Sequence, residues 1–278
     1  MRLLHSQHLE FPSASAIEFY RERLYLFGDD APYVLVLDTA YRVVDSIAFL
    51  ESRLPRLSKQ EKPDIEAAAL LRQGDADVLV GIGSLSSAAR FRHFSFQLNS
   101  RTMQPFTLMT PGVSLPGIEQ LNIEGAAVVN HRMVLANRAN NATKKNHLVI
   151  QVSQDSFSVS EFILPQTDRV AGVSGLFYYA EEDLLFFTAS TEETPDAIQD
   201  GAIGDSYLGW VEGASGKLSR ASVRADGLIN LVKISPKLDA QKIESVCVER
   251  KTGRVFLLHL VADNDDGGSR IFKMEFQR

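Results

Sequence analysis

Five times along the chain an apolar residue is followed by Glu or Ser and then by a small residue, each time at the head of an apolar run. The copies are Ala14-Ser15-Ala16, Ile65-Glu66-Ala67, Ile123-Glu124-Gly125, Val173-Ser174-Gly175 and Ile243-Glu244-Ser245, and their middle residues lie 51, 58, 50 and 70 positions apart. A unit recurring at such a period is one supersecondary piece that cannot bury its own apolar face alone and must stack on its neighbours.

Each unit divides into short apolar runs of strand length bounded by turn residues. Unit three gives 123–130, 133–138, 147–152 and 157–164. Unit two gives 65–71, 77–83, 91–97 and 102–109, and unit one 15–20, 24–28, 33–38 and 42–50. Unit four gives 173–179, 184–190, 206–212 and a fourth strand within 219–234. Unit five has three runs, 243–249, 254–261 and 270–276; the N-terminal stretch 3–11 supplies its fourth. That closure joins first and last units and removes two exposed edges. The expected fold is therefore all-β: one five-bladed β-propeller of four-stranded antiparallel blades, at about 12–50, 63–110, 121–165, 171–234 and 241–277, closed by strand 3–11. Small residues after the polar position let neighbouring inner strands approach near the axis. Glu61 to Leu71 has helix-like Ala and Leu content, but Pro63 and the repeat register favour a strand; 195–199 is expected to hold a helical turn.

Composition narrows the partners. A net charge of −6 argues against nucleic acid, which needs a basic face. The pair Lys144-Lys145 reads as solvated. Cys247 is the single cysteine, so no internal disulfide forms, and its inner-strand setting reads as a buried, inert thiol. No apolar stretch reaches the ~18 residues of a membrane span, and the N-terminus lacks the apolar core of a secretory signal. The chain as given reads as cytoplasmic, although a secreted protein trimmed of its signal would read the same.

Antiparallel geometry places the start of each first strand and the end of each second strand on one face. Glu66, Glu124 and Glu244 thus share a channel mouth with the long polar loops at 28–30, 84–89, 138–146, 190–205 and 262–268, and loops on a rigid scaffold carry function. Three carboxylates around an axis need a compensating cation, arginine, water or shared proton. They either hold a metal, Ca²⁺ being the candidate cofactor for an oxygen-rich site, or pin adjacent blades through backbone amides. Asp29 and Asp30 end a second strand and join the metal candidates. Arg138 either clamps an anionic group or pairs with a channel carboxylate; Asn137, Asn140, Ser15, Ser174 and His259 complete the candidate ligand-binding set, with His259 also readable as a structural histidine. Glu192 and Glu193 lie in the longest loop, a candidate flap. The run Asp263 to Gly268 lacks EF-hand spacing and reads as a solvated turn. No nucleophile elbow, zincin motif, P-loop or paired-cysteine motif is present.

The openings Asp64-Ile65-Glu66-Ala67 and Asn122-Ile123-Glu124-Gly125-Ala126 resemble the Asp-x-Glu-Gly-hydrophobic phrases of phytase-like and SdiA-regulated propeller proteins. That resemblance implies calcium or phosphoester-type ligands on this face, and with them a phosphoester hydrolase of the phytase-like kind; Ser15 and Ser174 depart from an all-acidic ladder. The expected function is a ligand-binding or hydrolytic, calcium-dependent propeller acting on a small polar or phosphorylated molecule. The alternative is a non-enzymatic scaffold whose long-loop face binds a protein or peptide.

Overall fold

Burial alternates or runs continuously along the strands as the repeat requires, and the computed structural model assembles them into five sheets around one axis. It describes residues 1–104, 106–113, 115–140, 143–154, 156–192, 203–264 and 268–278, with the backbone alone for residue 192. The first strand, β1 (Arg2–Leu9), belongs to the last blade. Blade one is β2 (Ala14–Tyr20), β3 (Arg23–Gly28), β4 (Tyr33–Asp38) and β5 (Val43–Ala48). Blade two is β6 (Ile65–Gln73), β7 (Ala76–Gly83), β8 (His93–Gln97) and β9 (Thr102–Gln104). Blade three is β10 (Ile123–Val129), β11 (Arg132–Asn137), β12 (Asn146–Ser153) and β13 (Ser156–Ile163). Blade four begins with β14 (Ala171–Tyr179), β15 (Leu184–Glu192) and β16 (Ile203–Glu212).

Unit four departs from expectation in its last stretch. One helical turn, α1 (Ala214–Lys217), precedes two short strands rather than one: β17 (Ser222–Arg224) pairs parallel with β13 of blade three, and β18 (Gly227–Asn230) completes blade four. Backbone bonds from Glu161 N to Ala221 O and from Ala225 N to Ile163 O anchor the crossover. It covers an edge that would otherwise be open. Blade five is β19 (Ile243–Thr252), β20 (Val255–Asp263) and β21 (Ser269–Gln277), closed by β1 through antiparallel pairing from Arg2↔Glu275 to Leu9↔Ser269. The Ser269 hydroxyl adds a bond to Phe11 O and accepts one from Ala14 N, tying the connection between β1 and β2 to the closing blade.

Apolar clusters fill the wedge between each pair of adjacent blades. Phenylalanines dominate several: Phe186, Phe256 and Phe276 meet edge-on or tilted between blades four and five, with Trp210 on Phe276. Cys247 is fully buried in the wedge between blades five and one. Among the described residues no helix is long and apolar enough to cross a membrane.

The repeated phrase has a common structural meaning. In all five blades the pairing of first and second strands slips between the residues flanking the middle position: Ala14/Ala16, Ile65/Ala67, Ile123/Gly125, Val173/Gly175 and Ile243/Ser245. Each middle residue is therefore the extra residue of a β-bulge, a device that re-aims a side chain beside a site. The small residue that follows is a packing necessity at two positions. A Cβ on Gly125 would lie 2.9 Å from the backbone of Gly175, and one on Gly175 would lie 2.6 Å from the Glu244 carbonyl.

Candidate functional site

The five bulged residues divide by chemistry. In blades one and four the serine closes the ring: Ser15 Oγ donates to the Ile65 carbonyl of blade two, and Ser174 Oγ donates to the Ile243 carbonyl of blade five at 2.6 Å. These were expected as ligand contacts; instead their hydroxyl protons bind the residue just before the next blade's glutamate. Glu66, Glu124 and Glu244 stand at the bulges of the other three blades, all at the loop-rich mouth.

The residue two places before each glutamate decides its state. Asn122 Nδ2 donates to Glu124 Oε1 at 2.8 Å, and Lys242 Nζ lies 3.0 Å from Glu244 Oε1. In blade two that place is held by Asp64, which has no donor to offer. Arg138, leaving the end of β11, reaches Glu124 at 3.3 Å and Glu244 at 3.9 Å, and bonds Ser190 Oγ at 2.8 Å. Its passage needs Gly172, since a Cβ there would fall 2.5 Å from Arg138 Cγ. Arg138 thus takes the ion-pair role of its two expected ones.

Glu66 makes no hydrogen bond among the described residues. Burial pushes its carboxyl well above the usual range, helped by the charges of Asp64, Glu124 and Asp29, with Lys62 opposing. Oxygens of Asp29, Asp64 and Glu66 converge within 4.8 Å of one another. Lys62 Nζ bonds Asp29 and sits 2.9 Å from Asp64, which also takes Ser84 Oγ at 2.5 Å and Arg90 Nε at 3.4 Å. Burial pulls the Lys62 ammonium down, but Asp29 and Asp64, with Glu66 when it is ionised, outweigh it and hold the ammonium above its ordinary value. Asp64 adopts a φ of +57°, as Ser13 does with +47° at the same place in blade one, a conformation Asp tolerates. Asp30 pairs with Arg56 instead, and burial raises its carboxyl, with Asp29 adding to the effect.

The five expected metal ligands are therefore split. Asp29 and Glu66 share one cluster with Asp64, Arg138 lies between Glu124 and Glu244, and Asp30 is occupied by Arg56. Asn137 and Asn140 build the loop: Asn137 Oδ1 accepts from Asn122 N at 2.7 Å, and Asn140 Oδ1 from Thr143 N at 2.6 Å. The expected flap residues Glu192 (its side chain) and Glu193, the turn at 195–199, and 265–267 of the acidic run lie outside the described residues. Buried polar atoms without a hydrogen-bond partner include Asp29 Oδ1, Asp30 Oδ1, His93 Nε2 and His147 Nδ1, all at the ends of strands or in loops on this face.

His259 is elsewhere. It sits in the middle of β20, because the strand runs on to Asp263, and it faces the wedge between blades five and one. Its Nδ1 meets Tyr41 Oη at 2.8 Å and its Nε2 meets Glu249 Oε2 at 2.9 Å. Burial lowers its pKa to about 3, aided by Lys273 and Arg250, so the ring is neutral: Nε2–H donates to Glu249 and Nδ1 accepts from Tyr41. Lys273 and Arg250 flank Glu249.

The residues missed from sequence were Lys62, Asp64, Arg90, Ser84 and Lys242. A signal existed: large polar residues, Asp64, Asn122 and Lys242, directly precede the glutamate phrases, whereas Ser13 and Gly172 precede the serine phrases.

A family model described as a family of unknown function, DUF6929, matches residues 10–276. The chain belongs to that family. No curated protein matches it. Among solved structures it is similar to Myxococcus xanthus glutaminyl cyclase, with a TM-score of 0.57 and 10% identity over 100% of this chain and 97% of that one. A putative gluconolactonase aligns at TM-score 0.46 and 9% identity, over 98% and 93% of the two chains. At such identity the likeness to the cyclase concerns the propeller alone. The narrower phytase-like and SdiA-regulated resemblance rests on the short blade-opening motifs.

Proposed function

We propose that the mouth of the propeller binds a small polar molecule at Glu66, with a positively charged group of the ligand, or a bound cation, competing with the proton that the raised Glu66 carboxyl favours. The observation behind this is the exchange at the position two before the bulge: Asn122 and Lys242 stabilise their glutamates, whereas Asp64 repels Glu66. Around that centre three carboxylates, Asp29, Asp64 and Glu66, face two cations, Lys62 and Arg90. The third negative charge is met by a proton or by an incoming cation. A protonated carboxyl at a channel mouth is also placed to deliver its proton to a leaving group, the chemistry a hydrolytic role on phosphorylated or other polar substrates would use.

Ca²⁺ is one candidate for the incoming cation. The donors are oxygens, as it prefers, but three are fewer than the six to eight it takes. It would displace the Lys62 ammonium and draw further oxygens from water or ligand.

Calorimetric titration with CaCl₂ and with methylammonium chloride, each in two buffers of different ionisation enthalpy, tests the reading. Binding of either with release of a proton is expected, and Glu66→Gln should abolish the proton release. Failure of both cations to bind would end it. A parallel turnover screen of a phosphomonoester, a sugar lactone and an N-terminal glutaminyl peptide would show whether binding leads to chemistry.

A further inference from the structure

Two inter-blade connections on this face are long, and they flank blade two. Residues 49–64 carry Lys62 into the acidic centre and Arg56 to Asp30, while 105–122 links β9 to β10 over 18 positions. Neither carries a strand or helix among the described residues, and connections of that length are uncommon in compact domains, being either functional or linker segments. The second is also unusually apolar for a surface loop: Leu108, Met109 and Leu115 are buried, and Val113, Ile118 and Leu121 pack half-buried against the same core. Between it and the loop at 85–91 lies a cleft of about 390 Å³, within the usual range for small-molecule pockets. Its apolar wall is formed by Leu85, Phe91, Val113, Leu115, Ile118 and Leu121, and Ser86, Ser87, Glu119 and Gln120 contribute polar lining.

The cleft and the acidic centre share their supports. Ser86 lines the cleft and meets Ser84 Oγ at 2.8 Å, and Ser84 donates to Asp64. On the other wall Gln120 accepts a bond from Asn137, whose Oδ1 holds the backbone of Asn122, the partner of Glu124. Ile123 N to Ser84 O, at 2.8 Å, joins the two walls. A ligand head at Glu66 therefore has a cleft with one apolar wall beside it, on the blade two side.

We propose that this cleft receives the apolar arm of the molecule whose charged head meets Glu66, so that the substrate class is a small cationic amphiphile: an amine bearing an alkyl or aromatic group. This rests on the Glu66 reading for the head and on the cleft for the arm. Transfer of apolar surface into such a recess favours binding by about 0.8 kcal/mol for each methylene buried, close to fourfold in affinity.

The test is a chain-length series on the intact protein: n-butylamine, n-hexylamine and n-octylamine measured by calorimetry, with n-hexanoate as the head-group control. The expected result is about fourfold tighter binding per added methylene until the cleft fills, with no binding of hexanoate. Ile118→Asp and, separately, Val113→Asp, both loop substitutions checked for unchanged melting temperature, should flatten that dependence, whereas methylamine, which has no arm to enter the cleft, reports on the head alone. Glu66→Gln should weaken all three amines by a common factor and keep the slope. Amines that bind with no dependence on length would overturn the cleft proposal and leave the Glu66 reading standing. A length dependence untouched by both loop variants would overturn it too, by placing the arm elsewhere. If no amine binds, both readings fall.

Discussion

Two clusters of ionisable groups lie inside this propeller, and they differ in how completely they are satisfied. In the wedge between blades five and one, Tyr41, His259 and Glu249 form an unbroken chain, with Lys273 and Arg250 at its acidic end and Lys273 donating to Thr39 O at 2.6 Å. Tyr41 and His259 have relative exposures of 1% and 0%. At the mouth, Glu66 stands beside three like charges without a hydrogen bond among the described residues, next to Asp29 Oδ1, which has none either. The first arrangement has the parts of a catalytic relay and no access; the second has access and an unmet charge. A fully satisfied buried network rigidifies a fold. An under-satisfied one near solvent is where a ligand gains most by arriving.

The largest effect that would break this comparison comes from the closure itself. Tyr41 O accepts from Gln7 of β1, and the His5 ring stacks on Tyr41 at 5.6 Å, so the buried chain and the closing strand form one latch. Deleting residues 1–11 removes β1, its pairing with β21 and the Phe11 that fills the same wedge. With each backbone bond contributing about 1 kcal/mol, the loss is on the order of 5 kcal/mol or more, comparable with the whole stability of a domain. Thermal melts should show no cooperative transition near the wild-type temperature; an unchanged one would mean that β1 is not the closure.

Next in size is His259→Ala. It leaves the Glu249 carboxylate and the Tyr41 hydroxyl buried with one partner fewer and opens a cavity. A cost of about 3 kcal/mol is expected, read as a shift in denaturation midpoint at constant slope. Ligand binding at the mouth should be unaffected. A loss of amine or calcium binding in a folded His259→Ala protein would reverse the roles assigned to the two clusters.

The repeat is legible in the sequence and most of its chemistry is not, for identifiable reasons. The five phrases were legible because every blade needs a bulge with a small residue behind it, a local constraint written in three adjacent positions. The closing strand was legible because unit five lacked a fourth run. The pairing of β17 with blade three was not, since a three-residue parallel contact leaves no periodicity in 219–234. Ser15 and Ser174 looked like ligand contacts because a serine that pins the next blade has the same neighbours as one that faces a ligand. His259 lies two residues inside the run 254–261 and so reads as close to the mouth; the strand continues through Ala262 and Asp263, which leaves it mid-strand. Lys62 is separated from Asp29 by more than thirty residues, and only the fold makes them partners.

The smallest effect is the sharpest, because Glu66 and His259 should give opposite signs with pH. Glu66 is held well above its ordinary value of 4.5 by burial and by Asp64, Glu124 and Asp29. Above pH 4.5 the unfolded chain releases this proton more readily than the folded one, so Glu66 makes the protein less stable as pH rises toward its folded value. His259, lowered to about 3 by burial, does the reverse: below its ordinary 6.5 the unfolded chain takes up a proton that the fold refuses, and stability falls as pH drops. Glu66→Gln keeps the shape and removes the first effect. Its melting temperature should match wild type near pH 4 and exceed it at pH 8, by roughly 2–4 °C for each kcal/mol gained. The acid limb, to which His259 and the lowered carboxyls of Asp38, Asp183 and Asp226 contribute, should be unchanged. A Glu66→Gln protein less stable than wild type at pH 8 would show that the carboxylate is welcome there, and the unmet charge that marks the mouth as the site would not exist.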